Sequence, residues 1–119
     1  MPNQSHVTDT HLDGVFRALA DPTRRAVVQR LARGPASVKD LAGPFDMALP
    51  SFLQHIKVLE EGGIVVSRKE GRVRTCEIKS DALVGAQDWI ADQRALWEGR
   101  LERLEAYLAD LQSQEKKDD

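Results

Sequence analysis

Between residues 21 and 63 the sequence is punctuated by Asp21-Pro22, Gly34-Pro35, Gly43-Pro44 and Gly62-Gly63, a spacing that leaves room only for short helices. Asp21 offers a side-chain oxygen to the unpaired N–H groups of a helix start, and Pro22 gives up a hydrogen bond that a first turn could not make. A helix is therefore predicted from Pro22 to about Arg33, with Val27, Val28 and Leu31 inward. Gly34 suits a left-handed residue after its last turn, and Pro35 prevents continuation. Ser37 and Asp40 resemble a capping box ahead of a short third helix that buries Val38 and Leu41 and ends at Gly43-Pro44. A fourth helix is read from about Leu49 to Glu61. Ala48 has no capping oxygen, so Asp46 is the candidate cap, and Pro50 is tolerated in a first turn.

The flanks are patterned differently. Leu12, Val15, Phe16 and Leu19 recur at helical spacing, so a first amphipathic helix spans His11 to Ala20. Ile64 to Lys69 and Arg72 to Lys79 are rich in β-branched residues and are separated by Glu70-Gly71, which reads as a hairpin with a basic tip. From Asp81 the pattern is helical for about thirty residues without proline. Leu83, Ile90, Trp97, Leu101, Leu104, Leu108 and Leu111 form an apolar seam spaced by sevens, fours and threes, which needs a partner. The expected organisation is an N-terminal arm over 1–10, a core domain over 11–79, a C-terminal helix or helices over 80–112 and a polar tail over 113–119.

A chain of 119 residues builds about one domain, leaving no room for a second, catalytic one. The single cysteine, Cys76, cannot form an internal disulfide or a multi-thiolate metal cage. No apolar run approaches the ~20 residues of a membrane span, and Met1 to Thr10 lacks the pattern of a secretory signal, so a cytoplasmic protein with no membrane partner is expected. The net charge of −2 hides an asymmetry. Residues 24–79 carry eleven Lys/Arg against six Asp/Glu, whereas residues 80–119 carry five against ten. A basic middle on an acidic chain marks one surface for a polyanion.

The element order is helix, helix, short helix, turn, helix, basic hairpin, long helix. The fold class is mainly α with a small β-hairpin: a helix-turn-helix followed by a wing, with a C-terminal leucine seam that calls for a second copy. In such motifs the second helix enters the major groove. Turning the fourth helix by its period puts Leu49, Phe52, Ile56 and Leu59 on a core face, with Leu53 at the margin. The opposite side presents Ser51, Gln54 and Lys57, flanked by His55. Glutamine can pair with adenine through two hydrogen bonds, serine can meet several base edges, and lysine can neutralise a phosphate. Arg68, Lys69, Arg72 and Arg74 gather at the hairpin, where guanidinium groups can grip phosphates or enter a minor groove. The expected dimer contacts on the C-terminal helix are Trp89, Ile90, Trp97, Leu101, Leu104 and Leu108.

From about Phe16 to Ile78 the sequence resembles the ArsR/SmtB-type winged-helix transcriptional regulators. The likeness rests on Ala18-Leu-Ala-Asp-Pro-Thr-Arg-Arg25, on LARGPASVKDL from Leu31 to Leu41, on His55-Ile-Lys-Val-Leu-Glu-Glu-Gly62 and on Gly71-Arg-Val-Arg-Thr75. It implies a homodimeric bacterial repressor, joined through its N- and C-terminal helices so that Leu12 and Phe16 join the expected dimer contacts, on a palindromic operator that is often released by a signal. Ser51, Gln54, His55 and Lys57 match its recognition-helix positions, and Arg72 and Arg74 match its wing. The chain departs at Ala48 and Leu53, where many members carry serine. It also lacks the family's metal-ligand sets: the third helix has no Cys or His, and no His follows residue 55.

Other chemistry is weaker. His6, Asp9 and His11 carry metal-ligating groups in a polar arm, the basis for an alternative metal sensor, although two histidines in such an arm are usually just solvated. Cys76 reads as a small buried residue. No nucleophile elbow or phosphate-binding glycine loop is present, so neither an enzyme nor a cofactor is expected. Trp89 and Trp97 fit an interface better than a ligand pocket. The rival from another class is a protein-interaction module that no longer binds DNA. An unidentified small-molecule inducer is compatible with either regulator reading.

Overall fold

The computed structural model describes the backbone of residues 2–118 and the side chains of residues 11–116. The elements are α1 (Pro2–Leu19), α2 (Pro22–Leu31), β1 (Ala36–Ser37), α3 (Val38–Ala42), α4 (Leu49–Glu61), β2 (Val65–Glu70), β3 (Val73–Ile78) and α5 (Asp81–Asp118). Residues up to 86 form one compact unit and those from 87 a second.

The punctuation acts largely as its chemistry requires. Asp21 is extended at φ −127°, and its carboxylate accepts a hydrogen bond from the Arg24 N–H at 3.1 Å. Ser37 Oγ likewise accepts from the Asp40 N–H at 3.1 Å and caps α3. α4 begins differently from expectation. Ala48 precedes it with no side-chain cap, so Asp46 does not take that role, and the proline in its first turn removes one of the N–H groups that would otherwise need a partner.

Two further expectations are corrected. α1 starts at Pro2 instead of His11, because residues 3–10 contain neither proline nor glycine to stop the helix extending towards the N-terminus. A short strand, β1, joins the hairpin to give an antiparallel sheet in the order β1-β3-β2, with Ala36 opposite Cys76 and Ser37 opposite Thr75. Two residues in extended conformation are too few to show alternation in a sequence. The pairing of Glu70 with Val73 leaves Gly71-Arg72 as the hairpin turn, one residue later than expected. Gly71 has φ +63° and Arg72 does not share a positive φ, the pattern of a turn with glycine first.

The core of the first unit is a continuous apolar cluster including Val15, Val27, Leu31, Phe52, Ile56, Leu59, Ile64 and Cys76. Each large side chain fully buried there contributes about 1.5–3 kcal/mol by leaving water. Cys76 is buried, and burial raises its thiol pKa, with Glu60 adding to the rise and Arg74 opposing it, so the protonated, unreactive form is favoured. α1 crosses the end of α4 at very close range. A Cβ added to Gly62 would lie 2.7 Å from the Gly14 carbonyl oxygen, so glycine is required for the two backbones to meet. This contact fixes α4 against α1 and sets which of its faces points outward.

Candidate nucleic-acid interface

The face that α4 turns away from the core carries Ser51, Gln54 and Lys57, all exposed. On the opposite side Phe52, Ile56 and Leu59 are buried. Leu49, expected in the core, is 54% exposed instead. It stands in the first turn of α4, before the helix has packed against the body of the domain, so its period places it on the right side but too far along the axis.

His55 is on α4 as expected but is not presented to solvent as the other three are. Its Nδ1 lies 3.0 Å from the Arg24 guanidinium. Arg24 also donates to the Ala18 carbonyl at 2.8 Å and the Arg17 carbonyl at 3.0 Å. One side chain therefore ties the end of α1 and the start of α2 to the middle of α4. Asp21 completes the cluster, 3.8 Å from His55 Nδ1. Burial pushes its carboxyl pKa upward, but the Arg24 and Thr23 N–H groups and the nearby His55 and Arg24 side chains outweigh this, and the net shift is downward from 3.8. His55 and Arg24 thus position the helix. Arg24 belongs to the Ala18–Arg25 segment that carries the family resemblance, but nothing in its spacing signals this link.

The wing divides in the same way. Arg68, Lys69 and Arg72 are exposed, with no side-chain hydrogen bond or ion pair among the described residues. Arg74 is exposed too but already engaged: its guanidinium pairs with Glu60 at 2.8 Å and donates to Ser67 Oγ at 3.0 Å, while Ser67 donates to the same Glu60 oxygen at 2.9 Å. Glu60 belongs to α4, so this triad fixes the wing to the helix beside it. The sequence places Arg74 with the DNA-facing cations and gives no sign of Glu60 or Ser67, because a cation among cations does not reveal an acid fourteen residues away.

The expected dimer residues separate too. Leu12 is 6% exposed, packed in the core of its own unit, whereas Phe16 is on the surface. In the second unit Trp89, Ile90, Trp97, Leu101, Leu104 and Leu108 are all exposed on α5. His6 and Asp9, two of the three groups of the metal-sensor alternative, have side chains outside the described residues; His11 is exposed. No cluster of three potential metal ligands occurs among the described residues. No helix described here is long and apolar enough to cross a membrane.

A helix-turn-helix held by α1 and α2, followed by a β2-β3 wing with outward cations, defines a winged-helix DNA-binding protein. The helix-turn-helix domain family matches residues 19–68. An ArsR family transcriptional regulator of known crystal structure is 56% identical, with a TM-score of 0.74 over 76% of this chain and 93% of that one. An HTH-type transcriptional regulator of Mycobacterium tuberculosis is 41% identical over 71 residues, 60% of this chain and 66% of its own length, so the match spans just under two thirds of that relative. The solution structure of a homodimeric winged helix-turn-helix domain from Mycobacterium bovis, described as a possible ArsR-family regulator, is 26% identical with a TM-score of 0.62, covering 81% of this chain and 90% of that one. The chain belongs to the ArsR family of winged helix-turn-helix regulators and is a DNA-binding transcriptional regulator.

Proposed function

We propose that the protein is a homodimeric repressor that binds a palindromic operator, with one α4 in each of two successive major grooves. The observation that carries this reading is the polarity of α4: Phe52, Ile56 and Leu59 anchor one side while Ser51, Gln54 and Lys57 stand outward on the other. Gln54 reads an adenine, Ser51 meets an adjacent base edge or phosphate, and Lys57 neutralises a phosphate. Arg68, Lys69 and Arg72 grip the flanking backbone, releasing counterions as they do so. His55 and Arg74 act by holding α4 and the wing in place. Two such units seated on a promoter exclude the transcription machinery, and the role needs no catalysis, no cofactor and no membrane, only the compartment that holds the DNA.

Dimerisation is supported by α5, where Ile90, Trp97, Leu101, Leu104 and Leu108 are all exposed and Trp97 is 63% so. An isolated helix does not hold a stripe of this kind in water without a partner. The homodimeric state of the Mycobacterium bovis relative supports the same assembly. The domain organisation that follows is a DNA-binding body that takes in the first turns of α5, up to residue 86, and a dimerising helix beyond it.

Selection of bound sequences from random duplex DNA tests the reading. An inverted repeat is expected, and Gln54→Ala should relax one base position in each half-site by about 1–3 kcal/mol. Identical motifs from wild type and variant would remove Gln54 from base reading. Failure to enrich any DNA would favour the protein-interaction alternative.

A further inference from the structure

A cleft of about 650 Å³ opens between α3, the first turns of α4 and the wing, within the range of about 300–1,000 Å³ typical of small-molecule sites. Its floor is apolar, made by Val38, Ala42, Leu49, Leu53 and Val73. Leu49 and Val73 are each more than half exposed. Its rim is cationic, carrying Lys39, Lys69, Arg72 and Arg74. Arg74 is already neutralised by Glu60, so the charge on offer comes from Lys39, Lys69 and Arg72.

Base reading does not account for this floor, because Ser51, Gln54 and Lys57 do not line it. Phosphates would satisfy the rim yet leave the aliphatic carbons facing water or polar backbone. A partner that satisfies both has an aliphatic body to displace water from the floor and a single anionic end for the rim.

We propose that this cleft binds an amphipathic monoanion of the aliphatic carboxylate class, and that its occupancy competes with DNA. The aliphatic chain lies along Leu53, Val38 and Ala42, and the carboxylate meets Arg72 and Lys69. Competition follows because those two cations are also the wing's phosphate ligands. Only the competition rests on the function proposed above; the site itself does not depend on it.

The test uses decanoate below its micelle concentration, titrated into the 119-residue chain and followed by backbone amide chemical shifts. The exposed leucines of α5 are a second place where an aliphatic chain could settle, so the readout must give location. Saturable shifts are expected at Ala42, Leu53 and Val73. Leu49→Glu and Val73→Glu, both surface changes whose amide spectra report on folding, should each abolish them, and Arg72→Ala should weaken binding about tenfold. Decylamine, of matching length and opposite charge, should not bind there. Decanoate should also weaken operator binding by about tenfold. The proposal is overturned if the cleft gives no saturable shifts, if the shifts are confined to α5, if decylamine binds equally, or if decanoate and operator bind together without interference. Cleft binding by a chain that binds no DNA would support the site, overturn the competition and separately overturn the proposed function.

Discussion

The outward face of α4 and the exposed stripe of α5 are both turned to solvent, but they are complementary to different things. On α4 the exposed groups are hydroxyl, amide and ammonium, rigidly backed by Phe52 and Ile56. On α5 they are indole and leucine, on a helix that also carries the exposed Arg94–Glu98 ion pair. A polar face fixed from behind suits a polar, patterned ligand such as a groove edge. An apolar face on a lone helix suits another apolar face. The same contrast recurs within the wing, where Arg72 is unengaged and Arg74, two residues on, is bound to Glu60. Exposure alone therefore does not assign a role; the partner that a side chain already has decides it.

Breaking the α5 side of this contrast should have the largest effect. Leu101→Asp combined with Leu104→Asp should yield monomers in sedimentation and weaken operator binding by about a hundredfold or more, since joining two half-site contacts contributes about 10²–10⁴. Alanine at Arg68, Lys69 and Arg72 together comes next. Affinity should fall on every DNA sequence, and the slope of log affinity against log salt should flatten by up to about three. Arg74→Ala sharpens the contrast within the wing: it should change that slope less than Arg72→Ala does. Gly62→Ala forces a Cβ against the α1 backbone and should cost about 1–3 kcal/mol in urea unfolding. The smallest effect is at Asp21. Its folded carboxyl titrates below 3.8, so its contribution to stability is present above that pH and is lost as pH falls through the lower folded value. Asp21→Asn should remove this portion of the acid-induced loss, measurable by comparing unfolding free energies of the two proteins across acid pH.

What could be read from the sequence was local. Asp21, Ser37 and Gly71 act through their own backbone neighbourhoods, so caps and hairpin were visible, the latter within one residue. The helical period identified Phe52, Ile56 and Leu59 as buried and left Ser51, Gln54 and Lys57 outside. The failures involve distance along the chain. Leu49 has the period of a core residue, but the body of the domain does not reach the first turn of α4. β1 exists because β3 supplies a pairing edge, not because Ala36-Ser37 favours extension. His55 and Arg74 have the chemistry of DNA ligands, yet Arg24, thirty-one residues away, and Glu60, fourteen away, hold them. Periodicity cannot report such pairings, which become visible only once α1, α2, α4 and the wing are packed.

Chemical protection of guanine N7 on a selected operator tests most directly whether α4 enters the major groove in pairs. The expected result is protection in two patches on one face of the duplex, centred about one helical turn apart, within flanking backbone protection from the wings. Backbone protection with every N7 still reactive would contradict it, because the protein would then grip phosphates without α4 entering the groove.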